Sequence, residues 1–91
     1  MEKRQKELLV LNNLGLHARP AARFVQCALM FRSSVLVWVN GTSYDGKRIM
    51  DLLIANLDKG AAFTLEAEGP DAEEAVLRLE KLMKELELEE G

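Results

Sequence analysis

From Ala18 to about Leu29 the apolar residues Ala21, Phe24, Val25 and Ala28 recur at i, i+3, i+4 and i+7, the spacing of one helical face. Pro20 falls in the first turn of that helix, where the backbone N–H it lacks would have no intrahelical partner anyway. Upstream, Lys6 to Leu11 is β-compatible and ends at the turn formers Asn12-Asn13-Leu14-Gly15, which predicts a short strand and a reversal. Val35 to Val39 is β-branched and aromatic and runs into Asn40-Gly41, the dipeptide suited to a type I′ hairpin, so a return strand is expected near Thr42 to Tyr44. Asp45-Gly46 breaks that strand, and Ile49, Met50, Leu52 and Leu53 then form a short apolar cluster at helical spacing. Phe63, Leu65 and Ala67 alternate with Thr64, Glu66 and Glu68, the mark of a strand with one wet face. After Gly69-Pro70, Asp71 is placed to cap a last helix, with Glu74 three residues on as in a capping box, ahead of Ala75, Val76, Leu79, Leu82, Met83 and Leu86.

The order βαββαβα is an α+β pattern whose natural closure is a four-stranded sheet with the helices on one face and water on the other. Leu36 and Trp38 then fall on the wet face, either as ordinary surface or as a contact patch. The ending Glu85-Leu86-Glu87-Leu88-Glu89-Glu90-Gly91 sets acid at the negative pole of the last helix, so that end is expected to fray.

At 91 residues the chain fits one domain, residues 1–91, with its core from about residue 6 to 86. Hydrophobic residues at 48% and charged residues at 30% are the balance of a globular protein, and a net charge of −3 without a long basic run gives no footing for a nucleic-acid partner. The apolar runs are too short for a signal sequence or a membrane span, so a cytoplasmic protein without membrane insertion is expected. With Cys27 the only cysteine and His17 the only histidine, neither a disulfide nor a usual metal site can be assembled. Cys27, beside Phe24, Val25 and Ala28, reads as a small buried hydrophobe.

Gly15-Leu16-His17-Ala18-Arg19-Pro20-Ala21 sets the histidine at the start of a helix with an arginine two residues on. The first amides of a helix lack intrahelical acceptors and stand at the positive end of the dipole, so an anion is stabilised there. Neutral imidazole is a nucleophile near physiological pH, and a guanidinium matches phosphate oxygens with its fork. These features fit a phosphoryl acceptor, although a capping histidine on a polar surface satisfies the same spacing. No Ser/His/Asp or Cys/His set can be placed, which disfavours a hydrolase using His17 as general base.

The segment Gly15-Leu16-His17-Ala18-Arg19-Pro20-Ala21-Ala22 closely resembles the active-site segment of the histidine-containing phosphocarrier family HPr of the bacterial phosphotransferase system. Phe24-Val25, Asn40-Gly41, Gly46-Lys47 before Ile49-Met50, Lys59-Gly60, Glu66-Ala67-Glu68-Gly69 and Asp71-Ala72-Glu73-Glu74-Ala75 agree as well, so the similarity spans roughly Leu8 to Leu86. The resemblance implies an open-faced β-sandwich with strand order 1-4-2-3. It implies a phosphoryl group accepted on Nδ1 of His17 from enzyme I and passed to IIA-type proteins, with Arg19 stabilising the phosphate and the backbone of Ala18 and Arg19 binding it. The partner surface carries over to Ala22, Arg48, Ile49, Met50 and Leu53, with Leu52 inside and Met50 out. No cofactor is implied, a monomer is expected, and such a carrier is not a turnover enzyme by itself.

Arg48 stands where many members of that family carry a regulatory serine, so control by phosphorylation at this helix should be absent. Asn56 replaces a common glycine, and asparagine tolerates the left-handed conformation best among the other residues. Gln26, Leu29 and Asp51 replace lysines of some sugar-transport carriers, and the less basic rim leans towards the nitrogen-type regulatory branch without deciding it. A competing reading keeps the fold as a non-catalytic interaction module that binds partners through the short helix and the His17 face.

Overall fold

The computed structural model describes residues 2–90. Along the chain lie β1 (Lys3–Leu9), α1 (Ala18–Ala28), β2 (Ser34–Val39), β3 (Thr42–Asp45), α2 (Ile49–Ala55), β4 (Ala62–Glu68) and α3 (Ala72–Glu90). The strands form one sheet in the order β1-β4-β2-β3, antiparallel at every step. The α+β architecture, the sheet order and the three helices are those expected.

Register decides which residues meet. Leu65 of β4 lies opposite Lys6 of β1 and Val37 of β2, and Ala67 lies opposite Val35. Because side chains alternate across a strand, Val35, Val37, Phe63, Leu65 and Ala67 all face the helices. They are buried with Phe24, Val25 and Ala28 of α1, Leu52 of α2, and Ala75, Leu79, Leu82 and Leu86 of α3 in a single cluster, where the rings of Phe24 and Phe63 meet edge to face with centroids 6.5 Å apart. Cys27 is buried with them, and burial pushes its thiol above the ordinary value, as suits a packing residue.

The opposite face of the sheet is polar but not bare. Glu66 is only 7% exposed there, its Oε1 accepting a 2.6 Å hydrogen bond from Gln5 Nε2 and lying 3.7 Å from Lys3 Nζ. Leu36 and Trp38 are half-buried on this face, with Leu36 opposite Glu66 and Trp38 opposite Thr64. At the hairpin, Asn40 and Gly41 have φ of 51° and 83°, the left-handed pair that a type I′ turn demands.

Two sequence expectations shift, the bounds of β1 and the role of the Asp71 carboxylate. β1 begins at Lys3 rather than Lys6 and ends at Leu9 rather than Leu11, because the seven-residue ladder with β4, from Lys3 opposite Glu68 to Leu9 opposite Ala62, sets its length. An edge strand with one wet face accepts the charged residues that a search for apolar runs leaves out. The acidic end is helical through Glu90, with Arg23 of α1 donating to Glu89 at 2.6 Å. Asp71 does start the last helix, its carbonyl accepting from Ala75 N at 3.0 Å, but its carboxylate is not part of a capping box. It turns to the loop before β2, where Oδ2 accepts from Arg32 N and Oδ1 from Ser33 N, both at 2.9 Å, and Oδ1 also accepts from Ser33 Oγ at 2.5 Å. These donors hold the Asp71 carboxyl down at about 2. The exposed Glu74 is left without a capping role.

Candidate functional site

His17 is the N-cap of α1, with extended backbone (φ −126°, ψ 162°) and no side-chain bond to the helix amides. The segment before it is anchored from both sides. Leu16 is fully buried, its N–H donates to Leu57 O at 2.8 Å, and Asn12 Nδ2 donates to Gly15 O at 2.9 Å. Lys59 Nζ donates to Asn13 Oδ1 at 2.7 Å, a second tie between the loop before α1 and the loop after α2. Gly15 makes this approach possible. Its φ is +71°, and a Cβ there would lie 2.6 Å from Leu57 O and 3.2 Å from His17 Cδ2.

The consequence is a contact no local pattern contains: His17 Nε2 lies 2.8 Å from Asp58 Oδ1. A carboxylate only accepts, so Nε2 carries the hydrogen, and in the neutral ring the lone pair is left on Nδ1. The imidazole is 29% exposed and the Asp58 carboxylate 72% exposed, so the ring is held but open to an incoming group.

The start of α1 leaves backbone amides without intrahelical partners. Ala21 N bonds to His17 O at 3.4 Å and Pro20 has no N–H, so Ala18 and Arg19 carry the amides that lack an intrahelical acceptor. Ala18 has φ of +51°, a conformation costing an L-residue about 1–2 kcal/mol, so the turn into α1 is strained at the residue after the histidine. Arg19 is exposed, and no carboxylate pairs with its guanidinium among the described residues.

The apolar candidates lie on α1 and α2. α1 and α2 run antiparallel, since Leu16 N meets Leu57 O at the α1 start while Lys47 Nζ donates to Phe31 O at 2.8 Å at its end. Ile49, Met50 and Leu53 are exposed along α2, Ala22 is half-buried on α1, and Leu52 is wholly inside. Ile54 and Leu14, not singled out from sequence, are exposed too. Arg48 is the N-cap of α2 with its side chain in solvent, its Nε 3.9 Å from Asp51 Oδ1. Asp51 has a local duty, Oδ2 accepting from Asp45 N at 2.9 Å. Asn56 ends α2 in the left-handed conformation, φ and ψ both 55°, as expected of a glycine substitute.

Asp58 was missed because a lone acid in a loop, 41 residues from the histidine, has no periodicity or motif to mark it. Gly15 was visible only as a turn former.

The family model described as the phosphotransferase-system HPr component phosphorylation site matches residues 4–85. The chain belongs to the HPr family. It is 43% identical over 82 residues to the phosphocarrier protein HPr of Vibrio cholerae, covering 90% of this chain and 96% of that one. Among solved structures, an HPr from Thermoanaerobacter tengcongensis superposes with a TM-score of 0.93 at 36% identity, covering 97% of this chain and 99% of that one. HPr from Bacillus anthracis gives a TM-score of 0.85 at 36% identity over 88% and 95% of the two chains. The protein is thus an HPr-type phosphocarrier of a phosphotransferase system. No helix among the described residues is long and apolar enough to cross a membrane.

Proposed function

We propose that this HPr-type carrier accepts a phosphoryl group on Nδ1 of His17 from phosphorylated enzyme I and passes it to IIA-type proteins, working as a cytoplasmic monomer without cofactor. The observation that carries this reading is the His17 ring at the N-cap of α1, held through Nε2 so that the lone pair of the neutral ring is left on Nδ1. In the transfer the Nδ1 lone pair forms the N–P bond while the donor's bond to phosphorus breaks and its electron pair returns to the donor. The helix start and the Arg19 guanidinium offset charge on the phosphoryl oxygens. Ala22, Arg48, Ile49, Met50 and Leu53 form the surface that both partners touch in turn. Arg48 presents no hydroxyl, so traffic is not controlled by phosphorylation at the start of α2. With no base assigned to direct water at the phosphate, the chain carries the group rather than hydrolysing it.

The test is labelling with phosphoenolpyruvate and enzyme I proteins of the sugar-transport and nitrogen-type branches. The expected product is an acid-labile, base-stable phosphate that is lost in His17→Ala, with one enzyme I the faster donor. A stable adduct elsewhere on the chain would refute the assignment.

A further inference from the structure

The 2.8 Å contact between His17 Nε2 and Asp58 Oδ1 goes further than placing a ring. We propose that Asp58 is a positioning residue for the transfer: it selects the Nε2–H tautomer before phosphorylation and stabilises the phosphorylated ring after it. This rests on His17 being the acceptor.

Three observations support the role. First, Asp58 is built into a turn rather than dangling from one. Its carbonyl accepts from Ala61 N at 3.0 Å, the preceding Leu57 carbonyl is tied to Leu16 N at 2.8 Å, and Asn56 turns the chain into it through a left-handed conformation. Second, its carboxylate has no competing partner among the described residues, since the neighbouring Lys59 ammonium is committed to Asn13. Third, the carboxylate is 72% exposed and no part of the core, so apolar packing does not require it to lie against the ring.

The chemistry follows from charge. In free histidine the proton exchanges between the two ring nitrogens, and only the form with its lone pair on Nδ1 can attack from there. An acceptor on Nε2–H favours that form. When the N–P bond forms at Nδ1, the proton stays on Nε2 and the ring becomes cationic. The hydrogen bond to Asp58 then joins opposite charges and strengthens. When the phosphoryl group leaves, its bonding pair returns to Nδ1, the ring is neutral again and the extra stabilisation is lost. Asp58 therefore biases the carrier towards its loaded state, by the about two- to fivefold that an exposed, solvent-screened pair supplies.

The experiment compares the native chain with Asp58→Ala and Asp58→Asn. In the unphosphorylated proteins, ¹⁵N shifts of the His17 ring report the tautomer: Nε2–H should dominate in the native chain, while Asp58→Ala populates both forms. In the phosphorylated proteins, the transfer equilibrium with enzyme I should move about two- to fivefold towards unloaded carrier in Asp58→Ala, and the phosphohistidine half-life should shorten. Asp58→Asn keeps the acceptor oxygen without the charge, so it should retain the tautomer and lose the bias towards the loaded state. Melting curves control for folding. Unchanged ring shifts together with an unchanged equilibrium in Asp58→Ala would overturn the proposal. Absence of phosphate on the native chain would overturn the acceptor assignment and the loaded-state bias with it, while the ring shifts would still show separately whether Asp58 holds the imidazole.

Discussion

At the scale of single residues, the site is a set of small choices around one ring. Arg19 is exposed and outside the core, so its loss should act on transfer and not on folding. Arg19→Ala is expected to slow phosphorylation by about ten- to a hundredfold, the worth of a hydrogen bond to a charged group, with the melting temperature nearly unchanged. Rapid-quench labelling beside a thermal melt checks it, and equal losses in both would contradict it. Gly15 acts through backbone instead. Gly15→Ala forces an L-residue to φ +71° and drives a Cβ against Leu57 O, so it should destabilise by at least about 1–2 kcal/mol and also slow labelling, because the loop bearing Asp58 must draw back from His17. Urea denaturation and labelling of the same variant measure the two effects. His17 was legible from sequence by type and spacing, and Gly15 only as a turn former. Asp58 was not, because its meaning lies in what it faces across two loops.

At the scale of elements, Asp71 links the start of α3 to the loop between α1 and β2. Its carboxyl sits at about 2, below the ordinary 3.8, because Ser33 Oγ and the amides of Arg32 and Ser33 favour the charged form. A depressed carboxyl contributes stability that is fully present above the ordinary value and disappears as pH falls through the folded one. The urea midpoint should therefore fall between about pH 4 and pH 2, and Asp71→Asn should lose its share of that decline. An identical acid profile in the variant would remove Asp71 as the cause. The helix start itself was readable from Gly69-Pro70-Asp71. The choice between capping α3 and bridging to Ser33 was not, since both use the same carboxylate and only packing of the loop against α3 brings the second set of donors within reach. β1 teaches the same lesson: Lys3, Arg4 and Gln5 become strand because β4 offers a ladder to pair with.

For the whole molecule, α2 divides its residues between core and exposed surface, and the two sides should respond to mutation in different ways. Leu52 is fully buried, so Leu52→Ala should cost about 2–5 kcal/mol of stability. Met50 is 58% exposed on α2, so Met50→Asp should leave the urea midpoint almost unchanged while weakening productive encounter with enzyme I, seen as a raised KM. A loss of stability in Met50→Asp matching that of Leu52→Ala would place Met50 in the core and remove it from the partner surface. By itself the sequence determined the type of every element, the Asn40-Gly41 hairpin, and His17 at a helix start with Arg19 beside it. These depend on side-chain period and backbone preference, which are local and survive without knowledge of the fold. Only the tertiary structure decided the length of β1, the partner of the Asp71 carboxylate and the hold of Asp58 on His17. Each of these joins groups far apart along the chain, and such contacts depend on how the buried faces of helices and sheet settle against one another.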